Sequence, residues 1–155
     1  MKTLIVYYSY SGITKSCGEI FAEIMKGDLL ELIPEKPYSF HYNTAVKEIR
    51  REIERGICPK LISKDIEIID YDLILIGSPN WLKTFAPPVR TFLRKKDWKD
   101  KKILPFCTHG GGGLGRMEEE IKRECPEAEV LLGMAFDSGF SKEDIENQLR
   151  KRCIL

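Results

Sequence analysis

At 155 residues the chain has the length of one domain with a sizeable core, and we expect a single domain over residues 1–155. Its 43% apolar and 32% charged residues are ordinary for a soluble globular protein, and its net charge of +1 argues against nucleic acid or an anionic membrane as a partner. No apolar run reaches the ~20 residues of a membrane span. The N-terminus enters a strand pattern directly, so we expect a cytoplasmic protein.

Apolar runs of strand length alternate with segments of helical periodicity along the chain. In chain order the predicted elements are strand Leu4–Tyr8, helix Thr14–Met25, strand Asp28–Ile33, helix Tyr42–Arg55, strand Leu73–Gly77, helix Pro87–Lys95, strand Ile103–Cys107, helix Leu114–Glu124, strand Val130–Phe136 and helix Ser141–Arg150.

Most of the strand runs are apolar at consecutive positions, which indicates strands that are covered on both faces. The alternation of strands and helices therefore predicts an α/β fold with a five-stranded, doubly wound parallel sheet. Right-handed crossovers place helices on both faces of such a sheet. We expect Val130–Phe136 to be one uninterrupted strand, and Ser141 and Asp144 to form a capping box.

The isolated cysteine, histidine and tryptophan residues carry little functional signal. The five cysteines are scattered without a C-x-x-C pair, so we expect reduced thiols, and the two histidines are too far apart in sequence to form a metal-site pattern. We expect Cys17 to be packed in the first helix and His41 to be exposed or to cap a helix. Trp98 lies in the basic run Arg94–Lys102 and is expected to anchor it by packing.

The hexapeptide Ser9–Thr14 follows the first strand and opens the first helix. Unpaired N–H groups at a helix N-terminus attract anions, and Ser9, Ser11 and Thr14 can add hydroxyl donors. Gly12 lets the backbone curl close to a ligand. Such a turn predicts either a phosphate site or a simple helix cap in which Ser11 accepts a backbone N–H.

Two further loops are expected at the same edge of the sheet, because ligands of open α/β sheets bind beyond the carboxyl ends of the strands. The loop after the third strand, Gly77–Thr84, contains Trp81, whose indole can stack on a ring. The loop after the fourth strand, Thr108–Gly115, is rich in glycine, so its backbone can approach a ring edge. The three loops together predict a phosphorylated, flat, aromatic ligand, and a flavin with one phosphate fits.

These three motifs, in this order, resemble those of the flavodoxin family. Ser9-Tyr10-Ser11-Gly12-Ile13-Thr14 is similar to the family's T/S-x-T/S-G-x-T phosphate loop, with Ile13 where asparagine is common. The segments Gly77–Trp81, Ala86–Leu93 and Pro105–Gly115 resemble a short-chain branch found in bacteria and archaea. The resemblance implies a flavodoxin-like three-layer sandwich with strand order 2-1-3-4-5 and FMN at the switch in strand order, for which flavodoxin itself is a standard example.

The resemblance also implies that residues of all three loops bind FMN. Those expected to hold the phosphate are Ser9, Tyr10 through its backbone N–H, Ser11, Gly12, Ile13 and Thr14. Those expected on one side of the isoalloxazine ring are Pro79, Asn80, Trp81 and Leu82, and those on its other side and pyrimidine edge are Thr108, His109, Gly110, Gly111 and Gly112. Leu82 and Lys83 replace an aromatic–glycine pair common in this branch, and Lys83 brings a cation near the ring.

The function implied by the resemblance is electron transfer through FMN, with no catalytic side chain required. The implied partners are redox proteins, namely a reductase or ferredoxin-like donor and an acceptor, for a monomer or weak dimer that binds neither nucleic acid nor membrane. The alternative is an FMN-dependent NAD(P)H:quinone-type oxidoreductase. A response-regulator-like domain would need acidic residues after the first and third strands, where Ser9-Tyr10 and Ser78-Pro79 stand.

Overall fold

The computed structural model describes all residues 1–155 and alternates strands with helices. The strands are β1 (Thr3–Tyr7), β2 (Asp28–Glu31), β3 (Leu73–Pro79), β4 (Lys102–Thr108), β5 (Glu129–Val130) and β6 (Met134–Phe136). The helices are α1 (Ile13–Met25), α2 (Tyr42–Arg55), α3 (Pro87–Lys95), α4 (Met117–Glu124) and α5 (Lys142–Lys151). None of them has the length and apolar character that a membrane span needs.

All strand pairs are parallel, and the sheet has the order β2-β1-β3-β4-β5, with β6 also paired to β4. The predicted fold class and strand order are therefore confirmed. Alternate residues of β1 supply the two cores: Leu4 and Val6 face the core shared with α2, α3 and α4, while Ile5 and Tyr7 face the core shared with α1 and α5. Both faces of the sheet are covered, as the consecutive apolar positions of its strands require.

The prediction of one uninterrupted strand over Val130–Phe136 is wrong. Ile103 of β4 pairs with Val130, but Phe106 pairs with Met134. The edge strand formed by β5 and β6 therefore contains one residue more than β4 over this stretch. Pro105 lies opposite the break, and because proline has no N–H it cannot continue the ladder. The result is a bulge between β5 and β6, where the guanidinium of Arg152 donates to the carbonyls of Leu132 (2.8 Å) and Gly133 (2.5 Å).

The predicted start of the fourth helix at Leu114 is also wrong, because α4 begins at Met117. Gly113 and Gly115 have φ of 64° and 56°, and backbone in the left-handed region cannot belong to a right-handed helix. The other boundaries agree with the predictions to within two residues. The capping box is confirmed, since Ser141 and Asp144 exchange two hydrogen bonds at the start of α5.

The packing roles expected for the isolated residues are confirmed. Cys17 is buried against the sheet and burial raises the pKa of its thiol. His41 is exposed and precedes the first residue of α2. Trp98 is buried, packs edge-on against Phe92, and donates its indole N–H to the carbonyl of Leu93 at 2.7 Å.

Candidate functional site

Loop 1 (Ser9–Thr14) joins β1 to α1 and exposes a set of free backbone donors. Gly12 has φ of 95° and precedes the helix, and a Cβ built on it would meet no atom within 4 Å. The hydroxyl of Ser9 accepts the N–H groups of Gly12 (3.1 Å) and Lys15 (3.2 Å). The N–H groups of Ser11, Ile13 and Thr14 have no acceptor within the chain. The helix N-terminus thus presents donors without partners, together with its positive dipole end.

Thr14 ties loop 1 to the end of β4. Its buried hydroxyl lies 2.8 Å from the hydroxyl of Thr108, 94 positions away in sequence. Both residues were predicted as site residues, and the structure brings them into direct contact. A buried hydroxyl pair of this kind fixes the distance between two loops, because either partner alone would be left unsatisfied.

Loop 2 (Pro79–Thr84) is closed by two hydrogen bonds between Trp81 and Thr84, at 2.9 and 3.1 Å. The two residues inside the turn, Leu82 and Lys83, have φ of 52° and 69°. Glycine and asparagine dominate turns that need consecutive positive φ values. Leu82 and Lys83 stand where an aromatic–glycine pair is common in the branch that the sequence resembles. At these φ values the two residues carry backbone strain, on the order of 1–2 kcal/mol per residue.

Loop 3 (Thr108–Gly115) is docked on loop 2 mainly through Asn80. The backbone N–H of Asn80 donates to the Thr108 carbonyl (2.9 Å), and its side-chain amide donates to the Gly113 carbonyl (2.7 Å). The side-chain oxygen of Asn80 accepts the N–H of Lys83 at 3.0 Å. Asn80 was predicted to lie beside a ring, and its side chain forms hydrogen bonds to both loops.

The centre of loop 3 is bare backbone. A Cβ added to Gly110 or Gly111 would meet no atom within 4 Å, and the N–H groups of Gly110 and Gly112 have no acceptor within the chain. His109 folds over this stretch, since its Nδ1 accepts the N–H of Gly111 at 2.9 Å. Beneath it, burial raises the pKa of Cys107 to about 12, so Cys107 remains a thiol that can donate to the Gly113 carbonyl.

Trp81 lies within a cluster of tyrosines. Its ring centroid is 5.3 Å from that of Tyr8, 5.5 Å from that of Tyr10 and 5.3 Å from that of Tyr38, each in an edge-to-face arrangement. Tyr8 belongs to the site although it lies outside the three predicted loop motifs. A signal was present, because Tyr8 continues the alternation of Leu4 and Val6 and must face the same core as α2.

Two cavities adjoin this cluster. One of about 130 Å³ is lined mostly by apolar side chains of α2 and loop 2. Its lining residues are Tyr10, Tyr42, Ala45, Val46, Ile49, Asn80, Trp81 and Leu82. The other, of about 540 Å³, is more open and lies beside Ser9 and Tyr10, against the connection from β2 to α2. The chain contains no group of three or more potential metal-ligating side chains.

The structure places all fifteen predicted site residues in three loops that meet at the carboxyl edge of β1, β3 and β4. Lys15, which follows loop 1, pairs with Glu31, since its ammonium lies 3.9 Å from that carboxylate. The resulting surface combines free N–H groups and hydroxyls at one end with aromatic side chains and bare glycine backbone at the other. It suits a ligand with an anionic end and a flat ring.

Comparison with known proteins agrees with this geometry. A family model described as flavodoxin matches residues 2–152, whereas no curated protein matches the chain. A protein from Bacteroides uniformis named as a candidate flavoprotein has a TM-score of 0.88 at 27% identity, covering 96% of this chain and 97% of the other. A Lactobacillus acidophilus flavoprotein solved in complex with FMN has a TM-score of 0.78 at 27% identity, covering 98% of both chains. An oxidised flavodoxin 2 from Bacillus cereus, at 20% identity and a TM-score of 0.60 over 99% and 97% of the chains, shares the fold.

Proposed function

The chain belongs to the flavodoxin family, and from this premise we propose that its 155 residues form one domain that binds a single FMN and exchanges electrons with protein partners. When bound, FMN supplies the redox chemistry, while the protein supplies binding, orientation and electrostatics. The observation that carries the proposal is the meeting of free N–H donors, an indole and bare glycine backbone in three loops at one sheet edge.

Loop 1 fits the phosphate. Three N–H groups without acceptors, those of Ser11, Ile13 and Thr14, surround a helix N-terminus whose dipole favours negative charge. Ile13 offers only its N–H, so the absence of asparagine there removes no backbone donor. The hydroxyls of Ser9 and Ser11 add donors at the surface, and the open space beside Gly12 lets a phosphate approach the backbone.

Loops 2 and 3 fit the ring. Pro79, Asn80, Trp81 and Leu82 would flank it on one side, and Thr108 to Gly112 on the other. The N–H groups of Gly110 and Gly112 have no acceptor within the chain and are therefore available to ring heteroatoms. Asn80 would contribute indirectly to ring binding, by holding loop 3 at a fixed distance from loop 2.

The partners that we propose are a reductase or ferredoxin-like donor and a protein acceptor, for a monomer or weak dimer in the cytoplasm. The five unpaired cysteines favour a reducing compartment. The net charge of +1 gives no long-range field towards strongly basic or acidic partners, so we expect association to depend little on salt.

A second candidate function is an FMN-dependent NAD(P)H:quinone-type oxidoreductase. It is favoured by the cavity of about 130 Å³ beside Trp81, which is lined almost entirely by apolar side chains. A cavity of this size and lining can hold one six-membered ring, since an apolar cavity of about 150 Å³ is known to bind benzene.

Stopped-flow mixing of the FMN-loaded protein with NADH or NADPH separates the two functions. We expect slow bleaching of the flavin absorbance by either nucleotide alone, and fast bleaching once a catalytic amount of a flavodoxin or ferredoxin reductase is added. Fast bleaching by the nucleotide alone, followed by reoxidation with a quinone, would replace the carrier with the enzyme. A protein that takes up no FMN would remove both candidates.

A further inference from the structure

The connection from β2 to α2 carries a short segment, Tyr38–Ser39, that helix α2 holds from one side. The carboxylate of Glu52 accepts the hydroxyl of Tyr38 through both oxygens, at 3.0 and 2.9 Å. One turn earlier, the carboxylate of Glu48 accepts the backbone N–H of Ser39 at 3.0 Å. Residues four apart lie on the same face of a helix, so the two acidic side chains grip adjacent residues of the segment.

Loop 1 contacts the same segment. The hydroxyl of Tyr10 donates to the carbonyl of Ser39 at 2.5 Å. The ring of Tyr10 and the ring of Tyr38 then both contact Trp81 edge-on, with centroids 5.5 and 5.3 Å away. Tyr38 is only 7% exposed, and burial together with Glu52 raises the pKa of its phenol, so it stays protonated and continues to donate.

We propose that the Tyr38–Ser39 segment is a positioning element for Trp81, and that Tyr10 therefore contributes to binding of the flavin ring although it lies in the loop that would hold the phosphate. The proposal rests on the function proposed above. Each tyrosine hydroxyl is anchored to a fixed acceptor, which leaves its ring little freedom to rotate away from the indole. Trp81 is thereby held in place before a ligand arrives, and preorganisation of this kind lowers the entropy lost on binding.

The test compares Tyr10→Phe and Tyr38→Phe, which delete one hydroxyl each and keep both rings, with the matched control Tyr71→Phe. Tyr71 is also 7% exposed and also donates to a carboxylate, that of Asp28, but it lies just before the first residue of β3, whereas the three loops follow the last residues of their strands. Dissociation constants for FMN and for riboflavin, which lacks the phosphate, are measured by quenching of flavin fluorescence. Urea unfolding midpoints establish that each variant is folded.

We expect Tyr10→Phe and Tyr38→Phe to raise the dissociation constants for FMN and for riboflavin by the same factor, about 3- to 10-fold as for loss of one hydrogen bond. The ratio of the two dissociation constants should therefore stay unchanged. Tyr71→Phe should change either constant less than 2-fold. If Tyr10→Phe weakens FMN and spares riboflavin, Tyr10 acts on the phosphate and the proposal fails. It also fails if Tyr38→Phe behaves like Tyr71→Phe.

A measurement on the flavin-free protein is independent of the proposed function. Of the two tryptophans, Trp98 is only 4% exposed, so acrylamide quenching reports chiefly on Trp81. We expect Tyr10→Phe and Tyr38→Phe to raise the quenching constant, and Tyr71→Phe to leave it at the wild-type value. If the wild-type protein binds neither flavin, the proposed function fails. Quenching constants that are higher in Tyr10→Phe and Tyr38→Phe than in Tyr71→Phe would still support the positioning role, and equal constants in all three variants would refute it.

Discussion

Gly115 is the position at which loop 3 touches loop 2 backbone to backbone, and Gly115→Ala should separate the two loops. A Cβ there would lie 2.4 Å from the Lys83 carbonyl oxygen and 2.8 Å from its carbon, distances that backbone atoms cannot accept without moving. The neighbouring hydrogen bond from the Arg116 N–H to the same Lys83 oxygen, at 2.7 Å, would then be lost.

The expected loss of stability has two parts. Alanine at φ of 56° costs about 1–2 kcal/mol, and the lost hydrogen bond adds about 0.5–1.5 kcal/mol. We therefore expect Gly115→Ala to lower the free energy of unfolding by about 1.5–3.5 kcal/mol in urea titrations. It should also weaken the binding of FMN, because displacement of Lys83 moves the turn that carries Trp81.

Gly113→Ala is the matched control, since Gly113 has φ of 64° in the same loop and a Cβ there meets no atom within 4 Å. It should carry only the conformational cost of about 1–2 kcal/mol. Equal unfolding free energies for Gly113→Ala and Gly115→Ala would refute the argument that contact between the loop backbones holds the site together.

Three further predictions concern single side chains. Thr14→Val should lower the free energy of unfolding by about 1–3 kcal/mol in urea titrations, because it leaves the buried Thr108 hydroxyl unpaired. The double variant Thr14→Val with Thr108→Val should recover most of that loss. A loss in the double variant equal to the sum of the two single losses would contradict this. Ser9→Ala should weaken FMN more than riboflavin in fluorescence titrations, since the Ser9 hydroxyl organises the N-terminus of α1; equal effects on both flavins would contradict it. Hydrogen bonding to Arg94 holds the pKa of Glu124 below its usual range, so this carboxylate stabilises the fold above the unfolded-state pKa of about 4.3 and the benefit is lost as the pH falls further. Glu124→Gln should therefore cost about 1–3 kcal/mol at pH 7 and progressively less as the pH is lowered below about 4.3, and a loss independent of pH would refute the assignment.

The fold could be predicted because local patterns and the overall topology agree. Consecutive apolar residues in β1 and β3 require cover on both faces, and the helical periods between the strands supply it. The two errors arose where one residue type overrides a pattern. Pro105 breaks the ladder from within an apolar strand, and the positive φ of Gly113 and Gly115 delays a helix whose apolar period begins earlier.

The loops of the candidate site were predicted as segments but not as an assembly. The motif of loop 1 is local, so the sequence indicates it directly. The links between loops depend on contacts between distant residues, such as the Thr14–Thr108 pair and the bond from Asn80 to Gly113. Tyr38 contacts Trp81 and also donates its hydroxyl to Glu52 of α2, an arrangement that no short sequence pattern encodes.

The most direct test of the account is a titration of the flavin-free protein with FMN and with riboflavin, followed by absorbance and flavin fluorescence. We expect one FMN per chain, quenching of its fluorescence as the ring reaches Trp81, and weaker binding of riboflavin because the free N–H groups of loop 1 then have no phosphate to bind. Equal affinities for the two flavins would contradict the assignment of loop 1, and binding of neither would contradict the account as a whole.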